Sequence, residues 1–227
     1  MAERRLRRGL QLVVSCAVLG VGVGLLLDAR LGSDGYSMLV SGIALASGLD
    51  FWIPNLVVGV LLVLMAWLRG RAPGLGTLAQ PLVVGTVVSW TLWLLDRASG
   101  AAWLSPYVES TAGRWLELLL GLVVLAAGVA GYLATELGAG PAEAAALAWD
   151  PPVPFRWSYS LVQLLGATVG WLLGASLGPG TVLVIVAIGP MVARLQPRLT
   201  APGWREPLAH DGTDPEGPVP SYGRCEG

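Results

Sequence analysis

Trp67-Leu68-Arg69-Gly70-Arg71-Ala72-Pro73-Gly74-Leu75-Gly76-Thr77 and Trp171-Leu172-Leu173-Gly174-Ala175-Ser176-Leu177-Gly178-Pro179-Gly180-Thr181 are two copies of one pattern, W-L-x-G-x-x-x-G-x-G-T. They lie 104 residues apart, and Phe51 with Phe155 and Gly85 with Gly189 fall in the same register. Upstream, Leu31-Gly32 matches Leu137-Gly138 at an offset of 106. An internal repeat governs the fold, because each copy is a structural unit that completes itself against the other. The chain is expected to hold two membrane repeats, 10–95 and 115–195, joined by a linker at 96–114. An Arg-rich stretch, 1–9, precedes them and a polar tail, 196–227, follows.

Composition sets the solvent. The 227 residues are 54% hydrophobic and 13% charged, with a mean hydropathy of +0.66. A soluble domain carries roughly 25% charged residues. Charge at half that level, gathered between long apolar runs, means a polytopic all-α membrane protein. The net charge of −1 gives no pull toward nucleic acid. All 14 basic residues are arginine, which excludes a P-loop lysine and Schiff-base chemistry. Cys16 and Cys225 make no disulfide framework or metal pair, and the single histidine, His210, lies in the tail. No catalytic or metal centre and no cofactor is therefore expected in the membrane region.

Apolar runs at Gly9–Leu27, Phe51–Leu68, Leu78–Leu95, Trp115–Leu133, Trp157–Leu173 and Gly178–Leu195 are near the roughly 20 residues that one crossing needs. Two further segments, Tyr36–Ser47 and Ala142–Trp149, are too short to cross and suit broken or re-entrant helices. Gly20-x-x-x-Gly24, with Gly22 between, and the series Gly166, Gly170, Gly174 are stripes for close helix packing, within one chain or between two copies. Trp103 and Trp115 are interface anchors, and the Pro-, Gly- and acid-rich tail from Pro197 reads as disordered.

Six crossings make each half three spans long, so the halves are inverted in the membrane. Arginine placement agrees. The N-terminal cluster Arg4, Arg5, Arg7 and Arg8, the loop arginines Arg69 and Arg71, and Arg194 and Arg198 then share the cytoplasmic face. The uncharged loop Gly174–Gly180 faces outside, and both termini are cytoplasmic.

Candidate chemistry sits at the two breaks, Gly32–Gly35 with Ser33 and Asp34, and Gly138–Pro141 with Gly140. Backbone broken at membrane depth is tolerated only against protein or a wet cavity. Each break precedes a short helix whose N-terminus favours an anion. Glu143, two residues past Pro141, is a proton carrier or cation ligand, or else a first-turn capping charge. Its counterpart at an offset of 106 is Ser37; Asp34 is the nearest acid in the first copy, three positions out of register. Asn55, Gln80 and Gln163 are expected to bond between helices. The two Gly-x-Gly-Thr turns read as tight turns, with Thr77 and Thr181 capping the next helix, or as anion nests.

These residues resemble the YczE/YyaS family of bacterial integral membrane proteins, in which a small-x-LG-x-GPxD break and a W-L-x-G-x-x-x-G-x-GT turn recur in both halves. The second copy fits best, with Leu137-Gly138-Ala139-Gly140-Pro141-Ala142-Glu143 and Glu143 at the acidic position. The first departs from it at Asp34-Gly35-Tyr36-Ser37. The resemblance covers residues 10–195 and implies a bacterial inner membrane.

The expected function is a small-molecule permease or exporter working by alternating access, with the bilayer and an unidentified small molecule as its partners. Glu143 couples protons or binds a cationic group, and the breaks line the path. The alternative is a non-transporting membrane scaffold that acts through partner proteins. No enzymatic activity is expected, and a homo-oligomer stays open.

Overall fold

The computed structural model describes residues 2–99, 110–149, 152–153 and 155–200. Among them every regular element is a helix. These are α1 (Ala2–Asp28), α2 (Gly35–Ser47), α3 (Trp52–Leu68), α4 (Leu75–Ser99), α5 (Thr111–Leu133), α6 (Pro141–Leu147), α7 (Phe155–Leu172) and α8 (Pro179–Leu199). Four of them, α1, α4, α5 and α8, are long and apolar enough to cross a membrane. The other apolar helices are shorter: α3 has 17 residues, α7 has 18, α2 has 13 and α6 only 7.

The helix ends follow local chemistry. Ser110 caps α5 by accepting the Gly113 N–H at 2.9 Å. Pro141 and Pro179 open α6 and α8, where a missing N–H costs nothing. Gly48 closes α2 in the left-handed conformation, with its N–H on the Ala44 carbonyl. One boundary differs from expectation. The first helix begins at Ala2 and not at Gly9, because arginine is a strong helix former and the basic stretch continues the turn. The expected disorder from Pro197 does not begin there, because α8 continues through Pro197 to Leu199. The linker positions Trp103 and Pro106, the rest of the tail from 201 onward, His210 and Cys225 lie outside the described residues.

α1 lies at the centre, packed on α5 and on α4; α5 carries α8 on its other side. A second group places α2 on α7, and α6 between α3 and α7. The core runs along α1, where Cys16 and Leu26 have no exposed surface, and meets Val88 of α4, Leu118 of α5 and Val184 of α8. A Cβ at Gly22 would lie 2.7 Å from Leu125 Cα, and one at Gly128 would lie 2.6 Å from Leu19 Cα, so α1 and α5 touch backbone to backbone. Gly166 and Gly170 play the same part against α2. Gly174 leaves that stripe: it ends α7 with φ 101° and meets no neighbour.

The outer surface is leucine, valine and tryptophan, including Leu61, Leu116, Leu164 and Val182, all more than half exposed. Apolar cover on this scale suits lipid, not water. The protein is a helical membrane protein.

Corresponding contacts recur in the two halves. The Gly76 N–H donates to the Leu137 carbonyl at 2.8 Å, and the Gly180 N–H donates to the Leu31 carbonyl at 2.8 Å. Each W-L-x-G turn therefore docks on the Leu-Gly break of the other half. Within the turns, Arg71 N–H bonds Ala66 O at 3.0 Å, and Ala175 N–H bonds Gly170 O at 2.9 Å. The breaks match as well. Arg30 and Glu136 have φ 56° and 55°, followed at Gly32 and Gly138 by φ 108° and 129°, values that favour glycine. The Gly76 and Gly180 amides are thus taken by carbonyls and are not open to an anion. Thr77 and Thr181 do not cap their helices either, because both lie inside the first turn. The Thr77 hydroxyl donates to Ala139 O at 2.7 Å, and Thr181 Oγ1 lies 3.6 Å from Met38 Sδ.

Candidate functional site

The two breaks meet at one cavity of about 80 Å³. Long helices form its apolar wall: Leu19 and Val23 of α1, Val84 of α4, Leu125 and Val129 of α5, and Ile188 of α8. The short helices supply most of the polar wall. Asp34 stands at the start of α2 with Tyr36 and Ser37 behind it, Glu143 comes from α6, and Tyr159 and Gln163 come from α7. Asn55 of α3, Gln80 of α4 and Tyr132 of α5 complete it. This volume is several times what one water needs, about 10–15 Å³.

Asp34 accepts the Ser37 N–H at 3.0 Å and the Ser33 hydroxyl at 3.2 Å, so it caps α2 while lining the cavity. Glu143 occupies the first turn of α6. Each short helix thus carries its own carboxylate at its N-terminus, which answers the anion expectation: a bound anion would meet like charge here. None of the cavity residues is basic. Among the described residues no group of three potential metal ligands exists.

Tyr36 ties the two halves together at this point. Its N–H donates to Gln163 Oε1 at 3.0 Å, and its hydroxyl donates to Asn55 Oδ1 at 3.1 Å. Asn55 in turn donates to the Pro81 carbonyl at 2.6 Å, and Gln163 Nε2 donates to the Tyr159 hydroxyl at 2.9 Å. Asn55 and Gln163 therefore bond between helices or within the site as expected. Gln80 does not: its Oε1 is buried and unpartnered. The Tyr132 hydroxyl is also buried; it lies beside the Glu143 carboxyl without a hydrogen bond of regular geometry. Gly140 has no room for a side chain, because Gln80 Oε1 and Glu143 Oε2 both occupy the space a Cβ would take.

A wider cleft of about 360 Å³ shares the first break. Gly32 and Ser33 line it, with Asp28 and Arg30 before them and Ser176 of the uncharged loop opposite.

Residues 6–197 match a family of unknown function, DUF6198. The chain belongs to this family. A relative in Haemophilus influenzae, described as an uncharacterised protein, is 30% identical over 186 residues, covering 80% of this chain and 79% of its own. No solved structure matches the chain. The DUF6198 match takes in both breaks, both W-L-x-G turns and the whole cavity, and ends at the start of the tail. The likeness to YczE/YyaS proteins remains one of motifs within this bacterial relationship.

Asp34, Ser37, Pro141 and Glu143 of the expected site border the cavity. Gly140 lies directly beneath it, while Gly32 and Gly138 form the joints on which the opposite turns dock and Gly35 seats α2 against α7. Trp67 and Trp171 project outward, 60% and 54% exposed, and belong to the lipid-facing surface. The sequence reading missed Tyr132 and Tyr159. Their signal was position: tyrosines within apolar segments that also need a polar neighbour for the hydroxyl.

Proposed function

We propose that this chain is a small-molecule permease or exporter of a bacterial inner membrane, working by alternating access between two inverted halves of three crossings each. In this arrangement α1, α3, α4, α5, α7 and α8 cross, α2 and α6 enter without crossing, and both termini are cytoplasmic. The carrying observation is the cavity, which lies where both breaks converge and takes one carboxylate from each. Inverted repeats with broken helices around a midplane site are a recurrent transporter design. The paired docking bonds, Gly76 to Leu137 and Gly180 to Leu31, support two equivalent halves. The wide cleft beside Gly32 and Ser33 supports a route that needs only the first break to move. No chemical step, nucleotide or cofactor is assigned.

The test places single cysteines in a chain lacking Cys16 and Cys225 and labels cells and inverted vesicles with a membrane-impermeant thiol reagent. Arg71→Cys should label from the cytoplasm and Ser176→Cys from outside; labelling of both from one face would overturn the inversion. Ser37→Cys, lining the cavity, should label from each face in turn. Labelling of that position from one face alone would overturn alternating access.

A further inference from the structure

We infer that the cavity's ligand is a small protonated amine, an ammonium carrying a short alkyl group. The inference rests on the cavity being the site of the transported molecule. Its polar wall holds two carboxylates, Asp34 and Glu143, and no basic side chain. A carboxylate buried at this depth without an accompanying positive charge is costly, so the site favours a cation. Two further groups point the same way. The Tyr132 hydroxyl, on a residue only 2% exposed, borders the cavity and has no hydrogen-bond partner of regular geometry. Gln80 Oε1 is likewise buried and unpartnered, and it converges with Glu143 Oε2 on the space above Gly140. Two oxygens aimed at one point mark a place for a donor. An ammonium, whose several N–H groups radiate from a single centre, satisfies both and leaves another donor for the tyrosine oxygen.

The rest of the lining separates an amine from a metal ion. Divalent ions are held by clusters of anionic or imidazole ligands, and among the described residues no group of three His, Cys, Asp or Glu side chains exists. An alkali ion draws nothing from the opposite wall of Leu19, Val23, Val84 and Leu125. An alkyl group packs against that wall, while Tyr36 and Tyr159 line the polar side. About 80 Å³ holds roughly five water-sized groups, which limits the tail to a few carbons.

The full-length protein in nanodiscs is titrated with ethylammonium chloride, and thermal unfolding is followed by tryptophan fluorescence. Sodium, potassium and choline chlorides at equal concentration serve as comparisons. Ethylammonium should raise the midpoint in a saturable manner beyond all three. Glu143→Gln, which keeps the shape and removes the charge, should weaken the apparent affinity at least about tenfold. Tyr132→Phe, which removes one oxygen, should weaken it about threefold and keep the protein testable if Glu143→Gln does not fold. Equal shifts with ethylammonium and potassium would overturn the inference, as would wild-type affinity in Tyr132→Phe. Amine binding without flux in proteoliposomes would leave the ligand assignment standing and remove the permease. Flux of another compound without amine binding would do the reverse.

Discussion

The packing of α2 on α7 holds Tyr36, Ser37, Tyr159 and Gln163 at the cavity, and one methyl group should disturb it. Gly166 of α7 faces the start of α2, where a Cβ would sit 2.6 Å from Gly35 O and 3.0 Å from its carbonyl carbon. Ordinary van der Waals contact begins at 3.4 Å, so Gly166→Ala must push α2 outward by about 0.8 Å. The helix cannot yield by a rotamer change, since the opposing atoms are backbone. Overpacking of this kind costs about 1–3 kcal/mol, equivalent to roughly a 5- to 150-fold change in the folding equilibrium. The shift would also stretch the 3.0 Å bond from Tyr36 N–H to Gln163 Oε1 that lies beside this contact. Gly189→Ala in α8 is the matched control, because a Cβ there meets nothing within 4 Å. It should be neutral or stabilise the helix by about 0.5–1 kcal/mol. Reversible unfolding by SDS in mixed micelles measures both. Unfolding of Gly166→Ala at the wild-type SDS fraction would refute backbone-to-backbone packing between α2 and α7.

Two further outcomes follow from single contacts. Arg69 donates from Nε to the Ala148 carbonyl at 2.8 Å and stacks its guanidinium 4.0 Å over Trp149, fastening the end of α6 to α3. Arg69→Ala should therefore cost about 1–2 kcal/mol in the same titration, and Arg69→Lys less, since lysine keeps the charge and loses the planar stack; no loss in Arg69→Lys would assign the effect to charge alone and contradict the stacked, hydrogen-bonded role. Cys16 has no exposed surface in the α1 core, so in a Cys225→Ser chain N-ethylmaleimide should react only upon unfolding, and prompt labelling of the native protein would contradict the packing of α1.

The four long apolar helices and the breaks were legible because membrane depth restricts them so tightly. An apolar run needs a set length, and a glycine-containing interruption at that depth must serve some purpose. The docking of each turn on the opposite break was not legible, because Gly76 and Leu137 are far apart in sequence and neither has a side chain that announces a partner. What both copies share outside the apolar runs is the W-L-x-G turn and the Leu-Gly break, and the two shared features turn out to hold each other. The polar wall was half legible. Asp34, Ser37 and Glu143 stood out by charge or register, whereas Tyr132 and Tyr159 carry neither a charge nor a place in the repeated motifs. The chain has five tyrosines, and the three inside apolar segments, Tyr36, Tyr132 and Tyr159, all border the cavity. Trp67 and Trp171, expected as structural parts of the repeated turn, lie on the outer surface.

The three-residue misregister between Asp34 and Glu143 has a simple geometric resolution. Asp34 is the residue before the first turn of α2, and Glu143 is the third residue of α6. Those positions, N-cap and N3, are the two that face each other across a helix start in a capping box. The Asp34 carboxylate reaches forward to the N–H of Ser37, which is the register counterpart of Glu143. The first half thus brings its charge from one turn upstream to the place where the second half carries its own. A linear comparison of the copies counts one acid as missing, whereas the helix places both at equivalent points on the cavity wall. Exchanging them in sequence, with Asp34→Ser and Ser37→Glu together, should preserve the charge of the cavity and its preference for a cation, while Asp34→Ser alone should keep the cap and lose part of that preference.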